Sequence, residues 1–191
     1  MTLRNEAHMV DHSTRSLAPP GRFERAVLPH MSAAFTLAMY LMRNTSDAED
    51  AVQEAVLRAV RYLPTLREED ARPWFLTIVR RVCWNLLSGY RADNVETVSI
   101  DAIPLQLVDD TDTPDISAER MQTRERVRDA IDQLPMLLRE TIVLRELQSL
   151  SYAEIATITE VPVGTVMSRL SRGRARLAEL LRDVIDFEDV T

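Results

Sequence analysis

Leu150-Ser151-Tyr152-Ala153-Glu154-Ile155-Ala156, followed by Val161-Pro162-Val163-Gly164-Thr165-Val166-Met167-Ser168-Arg169-Leu170-Ser171-Arg172, decides how this chain is read. Ser151 and Glu154 stand three apart, the spacing of a reciprocal helix cap. Leu150 and Ile155 flank that cap where a hydrophobic staple needs them. The helix so started is short and ends by Glu160. Pro162 suits the first turn of the next helix, which runs to about Arg182. Val163, Val166, Leu170, Leu177 and Leu181 share one face of it at about 100° per residue. Gly164, Thr165, Ser168, Ser171 and Arg172 point the other way, and Arg169, Arg174 and Arg176 lie on the flanks. A short capped helix, a tight turn and a longer Arg-rich helix make a helix-turn-helix. Small residues near the helix start let a backbone approach DNA. Arg172 suits a guanine edge, and the flanking arginines suit phosphates.

The rest of the chain is helical in pattern too. Two further helices precede the motif, one over roughly 119–134, stopped by Pro135, and one over 136–148 that buries Leu137, Thr141, Leu144 and Leu147 or their neighbours. Towards the amino terminus, Val27, Met31, Phe35, Ala38 and Leu41/Met42 form a stripe from Phe23 to Met42, with a kink or fresh start at Pro29. Ser46 and Glu49 predict a capping box for a second helix that buries Val52, Ala55, Val56, Ala59, Val60 and Leu63 and ends at Pro64. A third helix starts near Pro73 and buries Phe75, Ile78, Val79, Val82, Leu86 and Tyr90. Thr77, Arg80, Trp84, Ser88 and Arg91 fall on its far side, and Cys83 on the edge of the buried stripe. Only four glycines and 5% aromatic residues in 191 argue against a β or glycine-loop architecture.

Charge divides the chain. The formal net charge is −7, which alone speaks against nucleic acid. The blocks 23–92 and 123–182 are, however, slightly positive, while 93–122 holds eight acids and one Arg. The predicted organisation is therefore an unstructured 1–22, a helical domain 23–92, a flexible acidic linker 93–122, a helical domain 123–182 and an acidic tail 183–191. The linker's charge either mimics nucleic acid or keeps the segment extended. Every basic residue is Arg, whose planar fork fits phosphate and guanine. His8 and His12 stand four apart without a third ligand, so no metal is expected. The single cysteine excludes an internal disulfide and reads as a packed, inert thiol. No catalytic constellation, metal cluster or phosphate loop is present in the sequence, so neither an enzyme nor a cofactor is expected. The absence of a basic start followed by an apolar run, and of any span-length apolar stretch, predicts a cytoplasmic protein without membrane insertion.

The string from Val161 to Arg172 closely resembles the recognition-helix signature of the extracytoplasmic-function (ECF) sigma factors of bacterial RNA polymerase. The stretch from Leu150 to Ala156 resembles that family's scaffold helix. The likeness covers roughly 23–182. It implies an all-α protein with a three-helix sigma region 2 and a four-helix sigma region 4. Asp47-Ala48-Glu49-Asp50-Ala51-Val52-Gln53-Glu54 resembles the family's polymerase-binding helix, whose docking face here comprises Asp50, Gln53, Glu54, Arg58 and Arg61. The third helix resembles the segment that captures and melts the element near the start site, with Arg80, Arg81, Trp84, Asn85 and Arg91 as DNA-contacting residues. The loop 65–72 matches the one that receives a flipped base. Thr165, Ser168, Arg169, Arg172, Arg174 and Arg176 would read the upstream element. Trp84 either stacks bases of opened DNA among its arginines or packs against the linker or a neighbouring helix; the sequence leaves both open.

Departures from the family pattern fall at Arg81, where Asn is common, at Asn85, where Asp is common, and at Ser88-Gly89, often a basic pair. They bear on which element is melted. Gly173, where Ala is usual, predicts local softness in the last helix. The implied partners are core RNA polymerase, promoter DNA and an anti-sigma factor. Two other readings use the same motif: a stand-alone helix-turn-helix regulator, which would dimerise on a palindrome, and a sigma-like decoy for an anti-sigma protein.

Overall fold

The computed structural model describes residues 21–67, 71–93 and 114–182, with side chains left aside at 90–93 and 114–120. The amino-terminal segment with His8 and His12, the linker 94–113, residues 68–70 of the predicted base-receiving loop, and 183–191 lie outside the described residues. So do the side chains of Tyr90 and Arg91.

Eight α-helices carry the described chain: α1 (Arg22–Val27), α2 (Met31–Met42), α3 (Thr45–Tyr62), α4 (Ala71–Asp93), α5 (Pro114–Asp132), α6 (Met136–Ile142), α7 (Tyr152–Thr159) and α8 (Val163–Leu180). The break expected at Pro29 is a 3₁₀ turn, Leu28–His30, between α1 and α2, because proline cannot donate into the ladder. A second 3₁₀ turn, Leu63–Thr65, holds Pro64 and closes α3. The cap of α3 differs from the expected one. Asn44, not Ser46, is the N-cap, and its Oδ1 accepts from Asp47 N–H at 3.2 Å. The start moves two residues back because Asn44 holds the extended backbone that a cap requires. Val60 is 52% exposed rather than buried, and Ala48 and Ala51 fill the face with Val52, Ala55 and Ala59 instead. The helix thus presents a narrow, small-residue stripe to α2 and α4, and Val60 falls off its edge.

α4 buries Phe75, Leu76, Ile78, Val79, Val82 and Cys83. It packs on α2 and α3 to complete the first unit. Burial pushes the Cys83 thiol up to about 12, in keeping with an inert packed cysteine. α5 begins at Pro114, so the last part of the predicted linker, 114–122, is helical.

In the second unit α6 and α7 pack on α8. α6 passes into a π-turn over Val143–Leu147, with Gln148 N–H bonding the Val143 carbonyl at 3.2 Å. Thr141 and Leu144 are buried as expected; Leu137 and Leu147 are 42% and 45% exposed, and Arg139, Glu140 and Gln148 beside them are buried. Val163, also expected inside, is 43% exposed because the first turn of α8 projects beyond the core. Gly173 is not a point of softness. A Cβ there would meet Ile142 Cγ1 at 2.8 Å, so the glycine lets α8 press directly on α6.

The two units are not separate bodies. α4 lies along α7, α2 meets α6, and the buried apolar residues of both form one cluster. Polar groups stitch the seam. Arg139 donates to the carbonyls of Ile131, Asp132 and Leu134 at the end of α5 and, across the seam, to that of Tyr40 at 3.1 Å. Its positive charge answers the negative end of α5. Burial lowers its proton affinity to about 10, and it stays charged at neutral pH. Gln148 donates to the Ala33 carbonyl and accepts Arg72 on its own carbonyl, each at 2.8 Å. Arg43 donates to the Asp132 carbonyl.

Candidate nucleic-acid interface

The helix-turn-helix forms from the local signals quoted above. Ser151 Oγ accepts from Glu154 N–H at 3.2 Å, and Glu154 Oε2 accepts from Ser151 N–H at 2.8 Å. These bonds hold the Glu154 carboxyl below the usual value of 4.5. Leu150 and Ile155 are both buried beneath the cap. Glu160 ends α7 in a left-handed conformation with φ 58°, and Val161 N–H closes on the Ala156 carbonyl. Pro162 then opens α8.

α8 turns Val166, Leu170 and Gly173 inward and leaves Gly164, Met167, Ser168, Ser171 and Arg172 exposed. Of the six residues expected to read DNA, Ser168, Arg172, Arg174 and Arg176 are exposed and Thr165 is half-buried. Arg172 Nε rests on the Ser168 carbonyl at 3.3 Å. Arg174 pairs with Glu146 at 2.8 Å and Arg176 with Glu179 at 2.8 Å. Both pairs are solvent-exposed, and such pairs separate at little cost. Arg169 departs from the expected outward position: its Nη1 turns in to Glu140 Oε1 at 3.3 Å.

On α4 the residues expected to meet opened DNA are held against the second unit. Arg80 forks onto Glu140, Nε to Oε2 at 2.8 Å and Nη2 to Oε1 at 3.2 Å. Trp84 Nε1 donates to the same Oε2 at 3.1 Å, and the Arg80 guanidinium lies 5.3 Å from the Trp84 ring centre. Of the two readings left open for Trp84, the structure thus shows packing against a neighbouring helix. Arg81 pairs with Glu160, and that contact lowers the Glu160 carboxyl and raises Arg81. Asn85 is exposed. Glu140 itself is fully buried. Sequence reasoning missed it, although one signal was present: an Arg-Glu pair, Arg139-Glu140, inside a run from Met136 to Leu144 that is apolar apart from these two and Thr141. Charges so placed need partners.

The outer face of α3 carries Asp50, Gln53 and Arg61 exposed, with Glu54 and Arg58 joined in a 2.7 Å pair. Between them stand Leu57, 60% exposed, and Val60. The face is thus mixed apolar and charged, which the polar residues alone did not suggest. Among the described residues no group of acids, histidines and cysteines is placed to hold a metal ion, and no helix is long and apolar enough to cross a membrane.

The chain is similar to known proteins in both units. Residues 26–92 match the Sigma-70 region 2 family, and residues 124–177 match Sigma-70 region 4. The chain is 30% identical over 169 residues to the RNA polymerase sigma-H factor of Pseudomonas aeruginosa, covering 85% of this chain and 88% of that one. It is 34% identical over 155 residues to the ECF RNA polymerase sigma-E factor of Haemophilus influenzae, covering 78% and 81%. Among solved structures it resembles the sigma factor RpoE in complex with the anti-sigma factor NepR from Bartonella quintana. That match has a TM-score of 0.69 and 26% identity, and covers 85% of this chain and 98% of the other. The capped scaffold helix, the Arg-bearing helix behind it and both region matches place this chain in the family of ECF RNA polymerase sigma factors.

Proposed function

We propose that the chain binds core RNA polymerase through α3, holds the melted element near the start site through α4, and reads the upstream element in the major groove through α8. The exposed, capped helix-turn-helix with Ser168 and Arg172 on its open face is the observation that carries this reading. Arg174 and Arg176 then serve as phosphate contacts that fix register, and Arg172 as the base reader. Asp50, Gln53, Glu54, Arg58 and Arg61 supply the charged rim of the polymerase face. Leu57 and Val60 supply its apolar centre, the usual anatomy of a protein interface. Arg80, Arg81, Trp84, Asn85 and Arg91 receive the opened strand, with bases stacked on the indole.

The chain carries no chemistry of its own in this scheme; polymerase supplies it. The working domains are 23–92 and 123–182, and the site of action is the bacterial cytoplasm, where polymerase and promoter are. An anti-sigma factor is the expected negative partner, as the NepR complex of the Bartonella relative suggests.

Transcription with core enzyme over a random promoter library tests this. Sequenced RNA 5′ ends should enrich two short blocks at fixed spacing upstream of the start. A library that yields no RNA above core enzyme alone would refute the reading.

A further inference from the structure

The contacts at Glu140 carry an inference beyond promoter recognition itself, and it rests on that reading of α4 and α8. Glu140 sits on α6, fully buried, and is met by three donors: Arg80 and Trp84 from α4 of the first unit, and Arg169 from α8. All three are residues that the promoter would need. Arg80 places both arms of its fork on the carboxylate, the same arms that a phosphate would take. The Arg80 guanidinium also lies near the Trp84 ring, where a base would stack. At the edge of the seam Arg81 is taken by Glu160, and Arg72 of the base-receiving loop by the Gln148 carbonyl. A seam built for stability alone would be apolar, because burying ions costs more than burying methyl groups.

We propose that Glu140 is an internal stand-in for DNA, a clasp that shuts the promoter-binding faces of both units against each other until polymerase opens the chain. The outer face of α3 lies away from this seam. Asp50, Gln53, Leu57, Val60 and Arg61 are exposed, while Arg80, Trp84 and Arg169 are half-buried and turned to Glu140. The closed chain can therefore meet core enzyme first, and promoter DNA second. A population held closed lowers apparent DNA affinity by the fraction that is open.

Two variants test the clasp. Glu140→Gln keeps the shape and removes the charge, and it sets an amide N–H against donors. Without core enzyme, this variant should bind a premelted promoter fragment about tenfold more tightly than the wild type, and core enzyme, which no longer has to open the clasp, should bind it more tightly as well. Equal promoter affinity in a folded variant overturns the proposal. The second arm needs no weakened fold. Ser32 and Leu147 line one cleft on the seam, and neither belongs to the promoter or polymerase faces. Ser32→Cys and Leu147→Cys, joined by a cleavable bifunctional thiol reagent, should abolish initiation with core enzyme, and cleavage of the reagent should restore it. Initiation at the wild-type rate while joined overturns the clasp. Wild-type protein with core reports separately on the underlying reading: if it initiates nowhere, the promoter assignment itself fails, and the clasp with it.

Discussion

Arg172 and Gly173 are neighbours on α8 with opposite duties. Arg172 is exposed and rests only lightly on its own helix. Arg172→Ala should cost about 1–3 kcal/mol of promoter binding and relax preference at one upstream position. An equal loss on all sequences, measured over a library of base-pair variants, would make it a phosphate contact instead. Gly173 is fixed by Ile142, whose Cγ1 would stand 2.8 Å from an added Cβ. Gly173→Ala would gain helix propensity of about 1 kcal/mol, yet it should destabilise the protein by about 1–3 kcal/mol through overpacking. Thermal unfolding checks this, and Gly173→Ala combined with Ile142→Ala should cost less than the sum of the two single losses. The exposure of Arg172 was legible from its spacing alone. The role of Gly173 was not, because a close approach of two helices leaves no periodic mark in either.

At the scale of elements, α7 was legible to the residue because its signals are local: a cap, its reciprocal acid and a staple within six positions. Ser151→Ala should cost about 1 kcal/mol of stability at neutral pH. The Glu154 carboxyl is held below 4.5 by Ser151. Its contribution is therefore complete above that pH and lost as pH falls through the folded value. Chemical denaturation of the wild type and Ser151→Ala at a series of pH values should show their difference shrinking in acid. α3 shows where local signals compete. Ser46 with Glu49 matched a capping box, but Asn44 precedes it and caps the helix. Its outer face is insensitive to that shift. Asp50→Lys with Glu54→Lys should abolish binding to core polymerase and leave the circular dichroism spectrum unchanged, since the ion pair lost among the described residues, Glu54–Arg58, is partly exposed. Unaltered core affinity would remove α3 from the polymerase interface.

The whole molecule differs most from its sequence reading at the seam. Two tethered units were expected, and two units are present, but they share one buried cluster and a carboxylate that reaches across it. Arg80 and Glu140 are 60 positions apart, and Gln148 and Ala33 are 115 apart. Amphipathic periodicity reports which face of a helix is buried against its neighbours in sequence; it says nothing about a second surface met after a long connection. The α4 far side was read as a polar face. Its occupant in this structure is the chain's own second unit.

In this scheme the two units are readers that must part to hold a promoter. Spin labels at Glu24 of α1 and Ala178 of α8, both exposed, measure their separation directly by pulsed dipolar spectroscopy. The free protein should give one short, narrow distance distribution, and the complex with core enzyme and promoter DNA a longer one. A transcribing complex that retains the short distance would contradict it.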